Sequence, residues 1–353
     1  LKWKGRIHIE INIKGLLPSE LKLSIKEIGK KEYRASQLLS WVYKKGIDSF
    51  DEMSDLPLEF REVCKKRFAL RNLDLVNEQV SEDGTTKYLF KLKDGNLIES
   101  VLIPGIKNFR NTVCVSTQVG CAFGCRFCAS GKKGFKRDLS AGEIVDQALF
   151  IKNRIKPHPV TNIVIMGVGE PLSNYDNLLK AIRIFNSHEC LNIGIRKITI
   201  STCGIVPEIL RLASENMQVE LSISLHASDD AARTRLMPIN KRYPISKLIE
   251  TCKEYILKTN RQITFEYILL KGINDSPVDA KHLIQLLKGV KCKVNLIPYN
   301  EVEGVKFESP GMESIKGFRA VLNMGGVRNT LRLQRGLSIK ASCGQLRMME
   351  NIP

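Results

Sequence analysis

The sequence predicts an α/β protein. Its core is a partial (βα)6 barrel, preceded by a small N-terminal helical accessory domain and a short β linker. Three observations carry this. From about residue 112, Ile- and Val-rich runs alternate with amphipathic segments, the pattern of a parallel sheet covered by helices. Residues 15 to about 75 repeat at helical spacing, and residues 76–106 alternate as strands do. A length of 353 residues suits two domains or one large barrel with an appendage.

The elements follow in order. LPSELKLSIKEIG, YRASQLLSWVY and SDLPLEFREVCKKRF read as short helices. In the second, Leu38, Leu39, Val42 and Tyr43 share one face. Lys and Arg are dense here, so the exposed faces should be basic. TTKYLFKL and NLIESVLI read as strands, with Asp94-Gly95 as the turn between them. The core strands are TVCVST, NIVIMGV, KITIST, VELSISL, ITFEYILL, KVNLIPY and NTLRL. Helical segments separate them, the first opened by a capping box of Ser140 and Glu143. The expected boundaries are 1–75 for the helical domain, 76–111 for the β linker, 112–335 for the barrel and 336–353 for a C-terminal segment.

Composition narrows the class. Hydrophobic residues are 43% and charged residues 26%, so the chain is globular. No window holds the roughly 18 apolar residues of a membrane span. LKWKGRIHIEINIKG at the start has no apolar signal core, so a cytoplasmic protein with no membrane partner is expected. The net charge of +18 favours a polyanionic partner, most simply nucleic acid.

Polar residues gather where the core strands end. Gly169-Glu170, Ser201, the Ser224-Leu225-His226 run and Asn300 all follow strands. In parallel α/β folds the C-terminal strand ends form the site. Ten cysteines are present, and Cys121, Cys125 and Cys128 form a C-x3-C-x2-C triplet in the loop after the first core strand. Zinc sites generally need a fourth ligand, and no Cys or His lies close by. An iron–sulfur cluster with three cysteine ligands leaves one iron open for a substrate, an arrangement suited to catalysis. Phe123 and Phe127 would shield it from water.

The triplet on a parallel α/β core resembles the radical S-adenosylmethionine (SAM) enzymes, which makes the expected fold a radical-SAM barrel. VCVSTQVGCAFGCRFCASG, MGVGEPLSN, SISLHA, LMPINKRYPI, NLIPYN and ASCGQL narrow the resemblance to the RlmN/Cfr family of RNA methyltransferases, from about Leu16 to Leu346. The resemblance implies a [4Fe–4S] cluster on Cys121, Cys125 and Cys128. It implies SAM as both methyl donor and radical source, two molecules per turnover. Gly169 and Glu170 match the contact to the methionine amino group. Ser201, Ser224, Leu225, His226 and Asn300 match the contacts to ribose and adenine. Cys343 matches the methyl-carrying cysteine, Cys114 its resolving partner and Glu99 a proton acceptor.

The implied reaction is methylation of an adenine ring carbon. Cys343 takes a methyl group from one SAM, and a 5′-deoxyadenosyl radical from a second activates it. A protein–RNA adduct forms, a base (Cys114 or Glu99) takes the ring proton, and Cys114 resolves the adduct as a disulfide. The implied partners are 23S rRNA, tRNA and an external one-electron donor of the flavodoxin kind, with residues 1–75 binding RNA. GEPL, and the Arg-Gly pair at 335–336, favour the branch acting on carbon 2 of adenine-2503 (and adenine-37 of tRNA) over the branch acting on carbon 8. One stretch departs from the family. Ser338-Ile339-Lys340-Ala341-Ser342 stands where D-I-D-A-A is usual, which bears on how the tail docks. Cys64, Cys190, Cys203, Cys252 and Cys292 match no family role and read as buried small residues. Two rivals are a different radical enzyme, which would not need Cys114 and Cys343, and a zinc-stabilised RNA-binding module.

Overall fold

A computed structural model describes residues 11–105, 110–132, 134–332 and 334–346. The opening charged stretch up to residue 10 and the end of the C-terminal segment from 347 lie outside the described residues.

The accessory region holds α1 (Pro18–Glu27), α2 (Tyr33–Leu39) and α3 (Leu58–Arg67). Proline opens α1, where its missing N–H costs nothing, and Glu20 accepts a hydrogen bond from the N–H of Leu17. A wider turn at Ser40–Lys45 extends α2, so the predicted helix ends in a π-type turn. Leu38, Leu39, Val42 and Tyr43 are fully buried, as their spacing predicts. Short strands β1 (Ile11–Asn12) and β2 (Phe68–Ala69) pair in parallel and close the region.

Next come β3 (Leu73–Val80), β4 (Thr86–Leu92) and β5 (Leu97–Ile103), joined antiparallel. Gly95, at φ +83°, makes the predicted turn, and Asp94 accepts from the N–H of Asn96. Then β6 (Thr112–Cys114) leads to a small antiparallel hairpin, β7 (Gln118–Gly120) with β8 (Phe135–Asp138), that brackets the one-turn α4 (Ala129–Lys132). The remainder alternates as read: α5 (Ala141–Arg154), β9 (Asn162–Ile165), α6 (Tyr175–Asn186), β10 (Ile198–Thr202), α7 (Val206–Ala213) and β11 (Glu220–Ser224). It continues with α8 (Asp230–Leu236), α9 (Ile245–Thr259), β12 (Ile263–Leu269), α10 (Pro277–Leu286), β13 (Cys292–Pro298), α11 (Met312–Met324) and β14 (Asn329–Leu331).

One sheet joins ten strands in the order β14-β13-β12-β11-β10-β9-β6-β5-β4-β3. The seven from β6 to β14 run parallel, which is six strand–helix units and a closing strand. The sheet is open, so this is a partial barrel. All seven residues of β12 are buried, as expected for a central strand covered on both faces. The three antiparallel strands extend this same sheet through β5 and β6, where Val101 faces Cys114.

The accessory helices share one apolar core with the barrel, running from Ile13 to Leu322. A buried ion pair reinforces the junction: Lys14 Nζ lies 2.6 Å from Asp146 Oδ1 on α5. Asp146 Oδ2 also accepts from the N–H of Asn72 at 2.9 Å. Breaking one partner of such a pair typically costs about 3–5 kcal/mol, because the other charge stays buried.

Candidate active site

The loop from Cys121 to Cys128 follows β7, within the connection from β6 to α5, and is locked by backbone contacts. The N–H of Cys121 donates to Gly134 O at 2.8 Å, and that of Arg126 to Leu236 O at 3.0 Å. Gly120 must be glycine: its φ is +79°, and a Cβ there would lie 1.9 Å from Gly134 O. Cys121, Cys125 and Cys128 are half-buried and open onto one cavity of about 150 Å³. Phe127 is buried beside them and packs edge-on to the His226 ring at 4.8 Å, while Phe123 is half-buried.

The same cavity is lined by Gly169, Glu170, Ser201, Ser224, His226 and Cys343. Sequence reading placed these at strand ends, and the fold brings them to one mouth. Gly169 has φ +106°, and a Cβ there would meet Gln118 at 2.6 Å. The Glu170 carboxylate is buried; Oε2 accepts from the N–H of Cys203 at 2.7 Å and Oε1 from that of Leu172 at 3.1 Å. Burial pushes its carboxyl above the usual range. His226 adopts φ +57°, and its Nδ1 accepts from the N–H of Ile268 at 3.1 Å. Burial, helped by Arg233, pushes its pKa down to about 3. The ring is therefore neutral, with its proton on Nε2.

Two members of the expected set sit differently. The Leu225 side chain is buried in the main core; its N–H donates to Glu266 O and its carbonyl accepts from Arg233 Nε. Asn300 lines a neighbouring cavity that shares Arg332 and Cys343 with the first.

The C-terminal segment is docked. Asn300 Nδ2 donates to Cys343 O at 3.0 Å, the Ala129 N–H to Gly344 O at 2.8 Å and Ser130 Oγ to Leu346 O at 2.7 Å. The residues that depart from the family have partners. Ser338 Oγ lies 3.0 Å from Ser81 Oγ, Lys340 pairs with Glu303 at 3.7 Å, and Ser342 Oγ donates to Arg335 O. Behind the cavity, Cys114 is buried in an apolar cluster with Val101, Val168, Ala341 and Leu346. Burial, and next the negative field of Cys343, push the Cys114 thiol up to about 12. Glu99 is buried on β5, two residues before the partner of Cys114, and pairs with Lys87 at 3.2 Å.

Sequence reading missed four residues here. Cys203 is buried, as read, but it also lines the thiol cavity. Cys64, Cys190 and Cys252 are simply buried, and Cys292 is half-buried, short of the full burial read for it. Arg332 and Glu266 face the cavity from β14 and β12. Arg233 is fully buried and ties Cys203 O, Ser224 O and Leu225 O together. Glu266 lies in β12, buried on both faces so that no alternation marks its side, and Arg332 lies just past the end of β14.

As ligands, the three thiols suit a cluster better than a single ion. Among the described residues, no three His, Cys, Asp or Glu side chains converge as a single-ion site requires. The three thiols instead line one shared cavity, inside an apolar shell with Leu236, Met237 and Tyr299. Burial holds Cys121 up at about 12 and raises Cys125 too, with the other thiols adding to the effect. Such thiols ionise only against a strongly cationic centre, which a cluster provides.

The fold and this cavity define a radical SAM methyltransferase. The Radical SAM superfamily model matches residues 115–284, and the model of the ribosomal RNA large subunit methyltransferase N-terminal domain matches residues 11–70. A protein of Clostridium tetani named probable dual-specificity RNA methyltransferase RlmN is 48% identical over 338 residues, covering 96% of both chains. One of the same name from Thermoanaerobacter sp. is 47% identical, covering 95% of this chain and 97% of the relative. The crystal structure of a radical SAM methyltransferase from Sphaerobacter thermophilus superposes with a TM-score of 0.92 at 43% identity, covering 95% of this chain and 99% of that one. The chain belongs to the RlmN family of radical SAM RNA methyltransferases.

Proposed function

We propose that this protein methylates carbon 2 of adenine-2503 in 23S rRNA, and adenine-37 of tRNA, through a methyl group carried on Cys343. The observation that supports it most is the position of Cys343. Its segment docks against the residues that follow Cys128, Cys343 lines the three-thiol cavity, and its charge acts on the Cys114 thiol.

Cys121, Cys125 and Cys128 would hold a [4Fe–4S] cluster, with SAM bound along Gly169, Glu170, Ser201, Ser224, Leu225, His226 and Asn300. When bound, this pair supplies an electrophilic methyl group and a 5′-deoxyadenosyl radical. A ring carbon of adenine is a poor nucleophile towards a sulfonium, whereas a thiolate attacks one readily. Cys343 therefore carries the one-carbon unit as a thioether and delivers it to the ring, forming a covalent protein–RNA adduct. Glu99 or Cys114 accepts the ring proton. Cys114 then attacks the Cys343 sulfur. The sulfur–carbon bond breaks, its electron pair goes to the methylene carbon, which takes a proton from solvent to complete the methyl group, and a Cys114–Cys343 disulfide remains.

The apolar cluster around Cys114 keeps water from competing for that step. Residues 1–75 would supply phosphate contacts, with boundaries at 75, 111 and 335 separating accessory domain, linker, barrel and tail. An external flavodoxin-like donor would supply the electron, in the cytoplasm. Among the described residues no helix is long and apolar enough to cross a membrane.

Mass spectrometry of 23S rRNA and tRNA from a deletion strain tests the reading. Loss of 2-methyladenosine at both positions supports it. Retention of that mark, or loss of an 8-methyl mark instead, refutes it.

A further inference from the structure

Cys343 and Cys114 both lie in the field of one guanidinium, that of Arg332. Arg332 follows β14, and its side chain lines both cavities that Cys343 borders. Its Nη1 lies 3.8 Å from Met166 Sδ, so the guanidinium reaches across the barrel from the closing strand towards β9. The groups that act on it come from three elements: Cys343 from the tail, Glu266 from β12 and Cys114 from β6. Cys343 is the largest influence, and together these neighbours outweigh the cost of burial, so the guanidinium holds its proton more tightly than usual.

Glu266 lines the three-thiol cavity from β12. It is buried, its Oε1 accepts from Asn295 Nδ2 at 3.1 Å, and its Oε2 accepts no hydrogen bond from the described residues. Glu266 lines the same cavity as Arg332, and its charge helps hold the guanidinium protonated.

The chemistry proposed above needs thiolates twice, and burial disfavours that of Cys114. Methyl loading requires a Cys343 thiolate; its proton leaves to solvent, the sulfonium S–CH3 bond breaks and a neutral sulfide departs. Resolution requires a Cys114 thiolate inside an apolar cluster. A thiolate away from water needs a compensating positive charge.

We infer that Arg332 is a positioning residue for both steps: in the cavity it shares with Glu266, its guanidinium pairs first with the Cys343 thiolate and then with that of Cys114. This rests on the reading of Cys343 as methyl carrier and Cys114 as resolver.

The test compares cluster-loaded wild type with Arg332→Met and Arg332→Lys. Iodoacetamide alkylation of Cys343 is followed by peptide mass spectrometry across pH 6–10, with S-methyl content of Cys343 measured in parallel. Arg332→Met should cut alkylation at pH 7 by about tenfold, the effect of one unit in a thiol's ionisation. The rate should recover at high pH. Arg332→Lys should restore most of it, which a purely structural role would not do. If Arg332→Met fails to retain iron, Arg332→Gln replaces it in the same comparison. An alkylation profile unchanged in a folded, iron-containing variant overturns the inference. Absence of S-methyl on Cys343 in the wild type overturns the underlying reading instead, and the two failures are separately visible.

Discussion

The side-chain amide of Asn300 donates to the backbone carbonyl of Cys343 at 3.0 Å, and its Oδ1 accepts from Gln334 at 3.1 Å. A residue matched to a cofactor contact thus also clamps the segment that bears Cys343.

Asn300→Ala should therefore loosen the tail. Amide hydrogen exchange at residues 340–346 should rise, and Cys343 methylation should slow severalfold, while iron content stays at the wild-type level. Unchanged exchange in that segment would show that the clamp holds nothing.

Cys125→Ala leaves two of the three thiols in the loop. Reconstituted protein should lose its iron–sulfur absorbance and all formation of 5′-deoxyadenosine. Substantial iron and sulfide in that variant would contradict the ligand assignment.

Acid should destabilise the protein through His226. Its folded pKa is about 3 against 6.5 for the unfolded side chain, so the unfolded state binds the extra proton. Its stabilising effect is full above pH 6.5 and is lost as pH falls from there towards 3. At pH 5 this one group costs about 2 kcal/mol. His226→Asn suits the left-handed backbone and retains an acceptor for Ile268, and it should flatten that limb in urea titrations. An equally steep acid limb in the variant would refute it.

Much of this was legible beforehand because each feature has a local signature. Every core strand was an apolar run, and Ser140 with Glu143 announced α5 by a capping box that the structure contains. The site residues at strand ends followed from parallel topology. The less legible parts depend on distant contacts. The short pairs β1–β2 and β7–β8 are too brief to show a period. The accessory helices look separable in sequence, yet Lys14 and Asp146, 132 positions apart, join them to the barrel. Arg332 reads as a surface charge until three other elements are folded around it.

That junction decides how RNA binding should be probed. Deleting residues 1–75 would strip a shared core and leave Asp146 buried without Lys14. Changing the exposed Lys26, Lys31, Lys44 and Lys66 to Gln avoids this. RNA affinity should fall, and the log–log salt slope should shrink by about 0.7–0.9 for each phosphate that no longer meets a lysine. SAM cleavage should be unaffected. Affinity and slope identical to wild type would exclude this surface from the interface.

The central claim is that Cys343 carries the carbon and Cys114 frees it. The direct measurement is incubation of cluster-loaded Cys114→Ala with SAM, reductant and substrate RNA, resolved on a denaturing gel. The account predicts a nuclease-sensitive protein–RNA adduct with a methylene bridge on Cys343, absent from Cys343→Ala. Full release of methylated RNA by Cys114→Ala, with no adduct, would contradict it.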